Sequence, residues 1–354
     1  MPVPSDSSPV PEFTPDPSRP LKLLAACPAY SETPLRQPEN LGPWNLLGKD
    51  ESTRMGLGSF KALGGVYAVA AMIASAWKQE GHGELNAEAY FEEPVRDFAG
   101  AMTFVCASAG NHGMAIAAGA QIFGARARVH LAASVPEYFA RRLQQTGADV
   151  VRSGDTYEDS MTAALADAGA SDAILLADSS WPGYTRAPSL IMEGYSVIAE
   201  ELRRRFELTH SWPTHVFLQA GVGGLAAATA YMIRLNWAVQ PEIIIVEPEA
   251  APCLLQSQLA GKPVTVAGPV SVMGRLDCKQ PSIIAVEVLN KVADRYVTIS
   301  DAEAEDAVAI AFNAGIRSTP SAVAGLAALL KAEELGLELN GTARPLVIFT
   351  EAPA

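Results

Sequence analysis

The chain has 354 residues, 49% of them hydrophobic and only 18% charged, which excludes a disordered or fibrous protein and provides for one large or two medium-sized domains with a substantial core. Twenty-six Lys and Arg against 39 Asp and Glu give a net charge of −13 without any basic cluster, which argues against nucleic acid or an anionic membrane as partner. Four scattered cysteines without a CxxC pair, five histidines without metal-ligand spacing, and no apolar run near the ~20 residues of a membrane span point to an acidic cytoplasmic protein with reduced thiols and no metal site.

Residues 1–20 hold seven of the 25 prolines and read as an extended N-terminal tail. The body alternates short apolar runs with Ala- and Leu-rich helical stretches. A strand over 102–106 leads into a helix over 111–124, and a strand over 126–132 into a helix that Pro136 starts and Gly147 ends. The unit repeats with 149–151, a helix over 157–168 and a strand over 173–177. A second series follows: helix 184–205, strand 214–220, helix 223–235, strand 242–248 and a helical stretch near 250–260. The end reads as strand 295–300, helices 301–314 and 321–335, and strand 345–350. The charge-rich segment 81–97 breaks the pattern and reads as a surface connection. Continuous apolar strands such as IIIV suit parallel sheets buried on both faces. Two series predict an α/β protein of two open, doubly wound domains with a ligand cleft between them: a small domain over 96–184 and a discontinuous large one over 21–95 and 185–354.

Three motifs bear on chemistry. In GLGSFKALGG (56–65), Lys61 lies among apolar neighbours, which predicts a depressed pKa and a neutral amine able to attack an aldehyde. The same residues equally suit a plain helix turn with an outward-reaching lysine. In SAGNHG (108–113), a strand end runs into a helix start, converging N–H groups suited to a carboxylate or phosphate; Asn111 also suits a simple N-cap. In QAGVGGLAA (219–227), glycines after a strand and before a helix form a cup for one phosphate, or serve only close helix–strand packing. Lysine nucleophile, carboxylate loop and single-phosphate cup together are what pyridoxal 5′-phosphate chemistry on an amino acid requires.

With these residues the sequence resembles the fold-type II pyridoxal-phosphate enzymes, the tryptophan synthase β-subunit-like superfamily. It is most like the diaminopropionate ammonia-lyases, with threonine dehydratase-like features. The resemblance spans about 29–350 and rests on YSETPL (30–35), KDES (49–52), GLGSFKALGG, SAGNHG, WPGYTRAPSLIMEGY (181–195), QAGVGG and IVEPE (245–249). It implies that Lys61 forms the cofactor's Schiff base, that Phe60 lies beside the cofactor, and that Asn111 bonds its ring hydroxyl. It implies that Gly221, Val222, Gly223, Gly224 and Leu225 hold the phosphate and that Thr350 faces the pyridine nitrogen. Ser108, Ala109, Gly110, Asn111 and His112 would bind the substrate carboxylate. Asp178 aligns with an acidic residue near the substrate side chain, where it would pair with a β-ammonium, although an Asx turn ending the strand is an equal reading. Glu247 approaches the cofactor edge or caps the next helix. A homodimer is implied as well.

Three positions depart from the ammonia-lyase pattern. Ala109 stands where the family has an acidic base, which leaves Lys61 as sole base and predicts use of L- rather than D-amino acids. RSTPSAVAGL (317–326) replaces a Gly/Glu/Ser-rich turn under the cofactor, and only four residues follow Thr350. The expectation is α,β-elimination from a small L-amino acid such as 2,3-diaminopropionate, giving a 2-oxo acid and ammonia. An L-serine/L-threonine or hydroxyaspartate dehydratase, or a β-replacing synthase of the same fold, is the alternative.

Overall fold

A computed structural model describes residues 12–39, 41–108 and 110–353. Of the expected tail, residues 1–11 lie outside the described part. Phe13 is buried with its ring 5.7 Å from that of Tyr231, and residues 18–20 already belong to helix α1 (Ser18–Ala25). Then follow β1 (Leu35–Arg36), β2 (Leu47–Asp50), α2 (Lys61–Gln79) and α3 (Glu93–Gly100). The segment expected as a plain connection thus includes a helix, started by Pro94 in its first turn.

The next stretch is β3 (Thr103–Ala107), α4 (Asn111–Phe123), β4 (Arg126–Leu131), α5 (Glu137–Gln145), β5 (Asp149–Arg152), α6 (Tyr157–Ala170) and β6 (Ile174–Leu175). Its strands form a parallel sheet in the order β5-β4-β3-β6. The chain continues through α7 (Arg186–Thr209), β7 (His215–Gln219), α8 (Gly224–Asn236), β8 (Glu242–Pro248), α9 (Cys253–Ala260), α10 (Ile283–Val292), β9 (Arg295–Ile299), α11 (Asp301–Asn313), α12 (Ala324–Leu330) and β10 (Pro345–Phe349). The second sheet runs β1-β2-β10-β7-β8-β9, all parallel except β1 against β2.

The strands are apolar throughout because both faces are covered. Val216, Leu218, Ile243, Ile245, Leu346 and Ile348 face one core with α7 and α8, whereas Phe217, Ile244, Val246, Val347 and Phe349 face the other with α11 and α12. In the smaller sheet Phe104 and Cys106 join the first core, and Val105 and Ala107 pack with Ala164 of α6. This is the doubly wound α/β architecture expected from the alternation of elements. In such sheets a site gathers beyond the carboxyl ends of the strands, and here β3, β6, β7 and β10 end at the same place.

Two glycines set the helix spacing there. A Cβ on Gly64 of α2 would lie 2.6 Å from the Ile191 carbonyl of α7, and one on Gly194 of α7 would lie 2.6 Å from the Gly64 Cα. Only glycine at both positions lets the backbones cross this closely.

Candidate active site

Lys61 opens α2, with Phe60 as its N-cap. The turn before it is pinned to the end of β10: Phe60 N–H donates to the Thr350 carbonyl (3.2 Å), and Ser59 forms a β-bridge with Glu351. Lys61 Nζ donates to Asp178 Oδ2, the carboxylate that follows β6. Burial disfavours the Lys61 ammonium, but the touching carboxylate more than offsets it, so the pKa of the lysine is raised. The depressed pKa expected from the apolar neighbours is therefore corrected: Asp178, distant in sequence, decides the sign. Burial likewise opposes ionisation of Asp178, and the Lys61 charge overrides it and holds the carboxyl low.

Asp178 is placed by the PGY segment. The Tyr184 hydroxyl accepts the Ala177 N–H (2.9 Å) and donates to the Leu175 carbonyl (2.8 Å), and its ring stacks on Trp181. Ser180 Oγ lies 2.6 Å from Ser282 Oγ, and Ser282 N–H donates to the Val222 carbonyl (3.0 Å). The acid-bearing loop is thereby tied to the glycine loop.

That loop joins β7 to α8. Gly223 is the N-cap with φ 98°, a left-handed conformation, and a Cβ there would lie 2.8 Å from the Ala285 Cβ. A Cβ on Gly221 would meet Cys278 Sγ at 2.9 Å. The first N–H groups of α8, on Gly224, Leu225 and Ala226, have no intrahelical acceptor, and the helix adds its positive end. All four cysteines are unpaired. Cys278 nevertheless lines this loop, with burial and then Asp178 pushing its thiol up to about 11.

At the end of β3, Gly110 caps α4 and its N–H donates to Ser108 Oγ (3.2 Å). Ala109 lies outside the described residues. His112 Nε2 is 2.7 Å from the Leu176 carbonyl, an acceptor only, so Nε2 carries the proton and Nδ1 is bare. The buried, neutral imidazole, its pKa lowered chiefly by desolvation, leaves only the backbone N–H of His112 for an anion.

Asn111 donates from Nδ2 to Glu351 Oε2. Glu351, only 2% exposed, also accepts from Thr319 Oγ1 (2.6 Å), while its carbonyl accepts from Ser318 Oγ (3.0 Å). Arg275 Nε lies 2.8 Å from the same carboxylate as an ion pair without an aligned hydrogen bond. Burial raises the Glu351 pKa against these partners. The divergent 317–321 turn and the residue after Thr350 therefore meet at one carboxylate. Glu351 and Arg275 escaped notice in the sequence; the only signal was a Glu directly after an apolar strand. Thr350 is buried, with its carbonyl engaged by Phe60. Glu247 is a cap: its two oxygens accept the N–H groups of Leu254 (2.8 Å) and Leu255 (2.7 Å) at the start of α9.

Among the described residues no helix is long and apolar enough to cross a membrane. The family model described as "Pyridoxal-phosphate dependent enzyme" matches residues 26–351. Diaminopropionate ammonia-lyase of Escherichia coli K12 is 31% identical over 282 residues, 78% of this chain and 69% of that protein. D-serine dehydratase of Yersinia enterocolitica is 26% identical over 283 residues, 76% of this chain and 62% of that protein. The crystal structure of the E. coli ammonia-lyase in complex with an aminoacrylate-PLP azomethine reaction intermediate superposes with a TM-score of 0.83 at 28% identity, covering 98% of this chain and 91% of that one.

Proposed function

We propose that this chain, which belongs to the pyridoxal-phosphate dependent enzyme family, is a lyase that eliminates the β-substituent of a small L-amino acid such as 2,3-diaminopropionate, yielding a 2-oxo acid and ammonia. The residues fit the cofactor. The cup at 221–225 has room only for glycine at its strained and crowded positions and leads into the first N–H groups of α8, which have no intrahelical acceptor. It lies beside Tyr195, which also packs on the first turn of α2 that Lys61 opens. Gly221, Val222, Gly223, Gly224 and Leu225 would hold the phosphate, Asn111 the ring hydroxyl, and Phe60 would flank the ring. Thr350 is assigned to the pyridine nitrogen. When bound, the cofactor holds the amino group of the substrate and draws electron density from its Cα.

The remaining work falls to the chain. Ser108, Gly110, Asn111 and the N–H of His112, at the positive end of α4, take the substrate carboxylate. Lys61 Nζ takes the Cα proton, as a neutral amine. Asp178 carries the reading: its carboxylate sits on a primary ammonium in the structure, and a β-ammonium on the substrate is the same chemical group. There it keeps the leaving nitrogen protonated, which makes ammonia rather than amide anion the departing species. A homodimeric assembly and a cytoplasmic setting belong to the same proposal.

The test is kcat/KM of wild type and Asp178→Asn on 2,3-diaminopropionate and L-serine. The loss of a hydrogen bond between charged partners predicts a decline of about ten- to a hundredfold on the diamine and a much smaller one on serine. An equal decline on both denies Asp178 the leaving-group role. With alanine at position 109, the D-enantiomer of the diamine is expected to turn over far more slowly than the L-form; equal rates remove Lys61 as sole base.

A further inference from the structure

Tyr195, the last residue of the IMEGY segment, plays no part in the assignments above. Its side chain is buried (2% exposed), yet its hydroxyl has no hydrogen-bond partner. The close crossing at Gly64 and Gly194 puts it where it is. A Cβ on Gly64 would lie 2.4 Å from Tyr195 Cε1, and the Phe60 ring centroid is 4.9 Å from that of Tyr195. The opposite ring edge faces the glycine cup, since a Cβ on Gly224 would lie 3.8 Å from Tyr195 Cε2. The phenol thus stands between the first turn of α2, which carries Lys61, and the first turn of α8. Its charged neighbours are Lys61 and Asp178, which pair with each other. Beside it lies the amino end of α8, where the N–H groups of Gly224, Leu225 and Ala226 have no intrahelical acceptor. Burial disfavours the phenolate and, with the Asp178 charge, outweighs the pull of Lys61, which keeps the hydroxyl protonated and hence a donor. Lys61 and Asp178 satisfy each other, so the phenol and the first N–H groups of α8 are the donors left without an acceptor, and an anion satisfies them together.

We infer that Tyr195 is a phosphate-binding residue, its hydroxyl donating to the cofactor phosphate held in the 221–225 cup. This deepens the cofactor reading and is independent of which amino acid is the substrate. It also explains why glycine is needed at both 64 and 194: the two absent side chains deliver the phenol to the cup.

Tyr195→Phe removes the hydroxyl and keeps the ring packed on Phe60 and Gly64. Affinity is measured by absorbance titration of the apoprotein with pyridoxal 5′-phosphate and, in parallel, with pyridoxal, which lacks the phosphate. The variant is expected to bind the phosphorylated form about ten- to a hundredfold more weakly, the range for one hydrogen bond to a charged acceptor. It binds pyridoxal as wild type does, and the 31P resonance of its bound cofactor is displaced. Equal losses for both ligands place the hydroxyl at the lysine end and overturn the inference, as does unchanged affinity with an unmoved 31P line. If the Phe variant does not fold, 3-fluorotyrosine placed at 195 supplies the reading. Its 19F line moves on adding pyridoxine 5′-phosphate and stays still with pyridoxine, and a line indifferent to the phosphate refutes the contact. Wild type that binds no pyridoxal 5′-phosphate at all is a separate outcome, which fails the cofactor reading and the inference with it.

Discussion

Asp178→Asn changes more than the substrate's surroundings, because the carboxylate sets the charge of Lys61. The variant keeps the shape of the side chain and removes its charge. What then remains on Lys61 is burial, which favours the neutral amine. An opposite charge in contact shifts a pKa by about one to three units. Both side chains are partly open, at 21% and 19%, so solvent screens part of the interaction and a shift of about one to two units is the reasoned magnitude. At about 1.4 kcal/mol per unit, that is roughly 1.4–3 kcal/mol of preference for the ammonium. The assay is acetylation of Lys61 in cofactor-free protein across a pH series, read by mass spectrometry of the Lys61 peptide, since only the neutral amine reacts. The midpoint in Asp178→Asn should fall by about one to two units, and labelling at pH 8 should be about ten- to a hundredfold faster. Coincident profiles refute the claim that Asp178 governs the lysine.

Two further predictions concern buried charge away from the lysine. Glu247 is fully buried (0% exposed), and desolvation, against the two N–H groups it caps, raises its pKa from 4.5 to about 7. Between those values the folded protein holds a proton that the unfolded chain has released, so stability falls as pH rises through this window, by up to about 3 kcal/mol. Urea unfolding at pH 5 and pH 7.5 should show the fall in wild type and its loss in Glu247→Gln; a variant with the same slope assigns it elsewhere. Arg54 is completely buried between Glu51 (2.7 Å) and Glu201 (2.8 Å), and Lys49 also reaches Glu201. Arg54→Met leaves two carboxylates to one cation and should cost about 3–5 kcal/mol in urea unfolding, most of it recovered in Arg54→Met with Glu51→Gln. A single variant as stable as wild type would show that the network tolerates the imbalance.

Most of the fold was legible because its strands are apolar on both faces and its helices are bounded by Gly and Pro. Strands at 103–107, 215–219 and 242–248 fall within a residue of the runs that announce them. What escaped were elements whose burial depends on distant partners. Strand β2, LGKD, carries two charged residues and no apolar pattern; Lys49 is buried there only because Glu201 of α7 meets it. Helix α10, IIAVEVLNKV, begins like a strand, and the expected helix 321–335 keeps regular turns only over Ala324–Leu330. The site divides in the same way. Lysine, glycine loop and Asn111 are local motifs and could be read. Lys61 finds Asp178 117 positions away and Asn111 finds Glu351 240 positions away. No window of sequence contains either pair, and so the sign of the lysine's shift came out reversed.

The pairings also bear on what would attract an anion into a chain of net charge −13. The charged side chains at the site cancel, Lys61 against Asp178 and Arg275 against Glu351. On the proposed reading, a phosphate entering this arrangement meets cations that are already paired, so its attraction would come from oriented dipoles: the amino end of α8, the glycine-loop N–H groups and the Tyr195 hydroxyl. Such donors do not titrate in the physiological range, whereas an attraction through lysine would weaken as the amine deprotonates. On the same reading, Lys61 would cycle between charged and neutral during turnover without loosening the group it works beside. A lysine that both anchored the phosphate and moved the proton would be pulled toward the ammonium at the moment the neutral amine is needed.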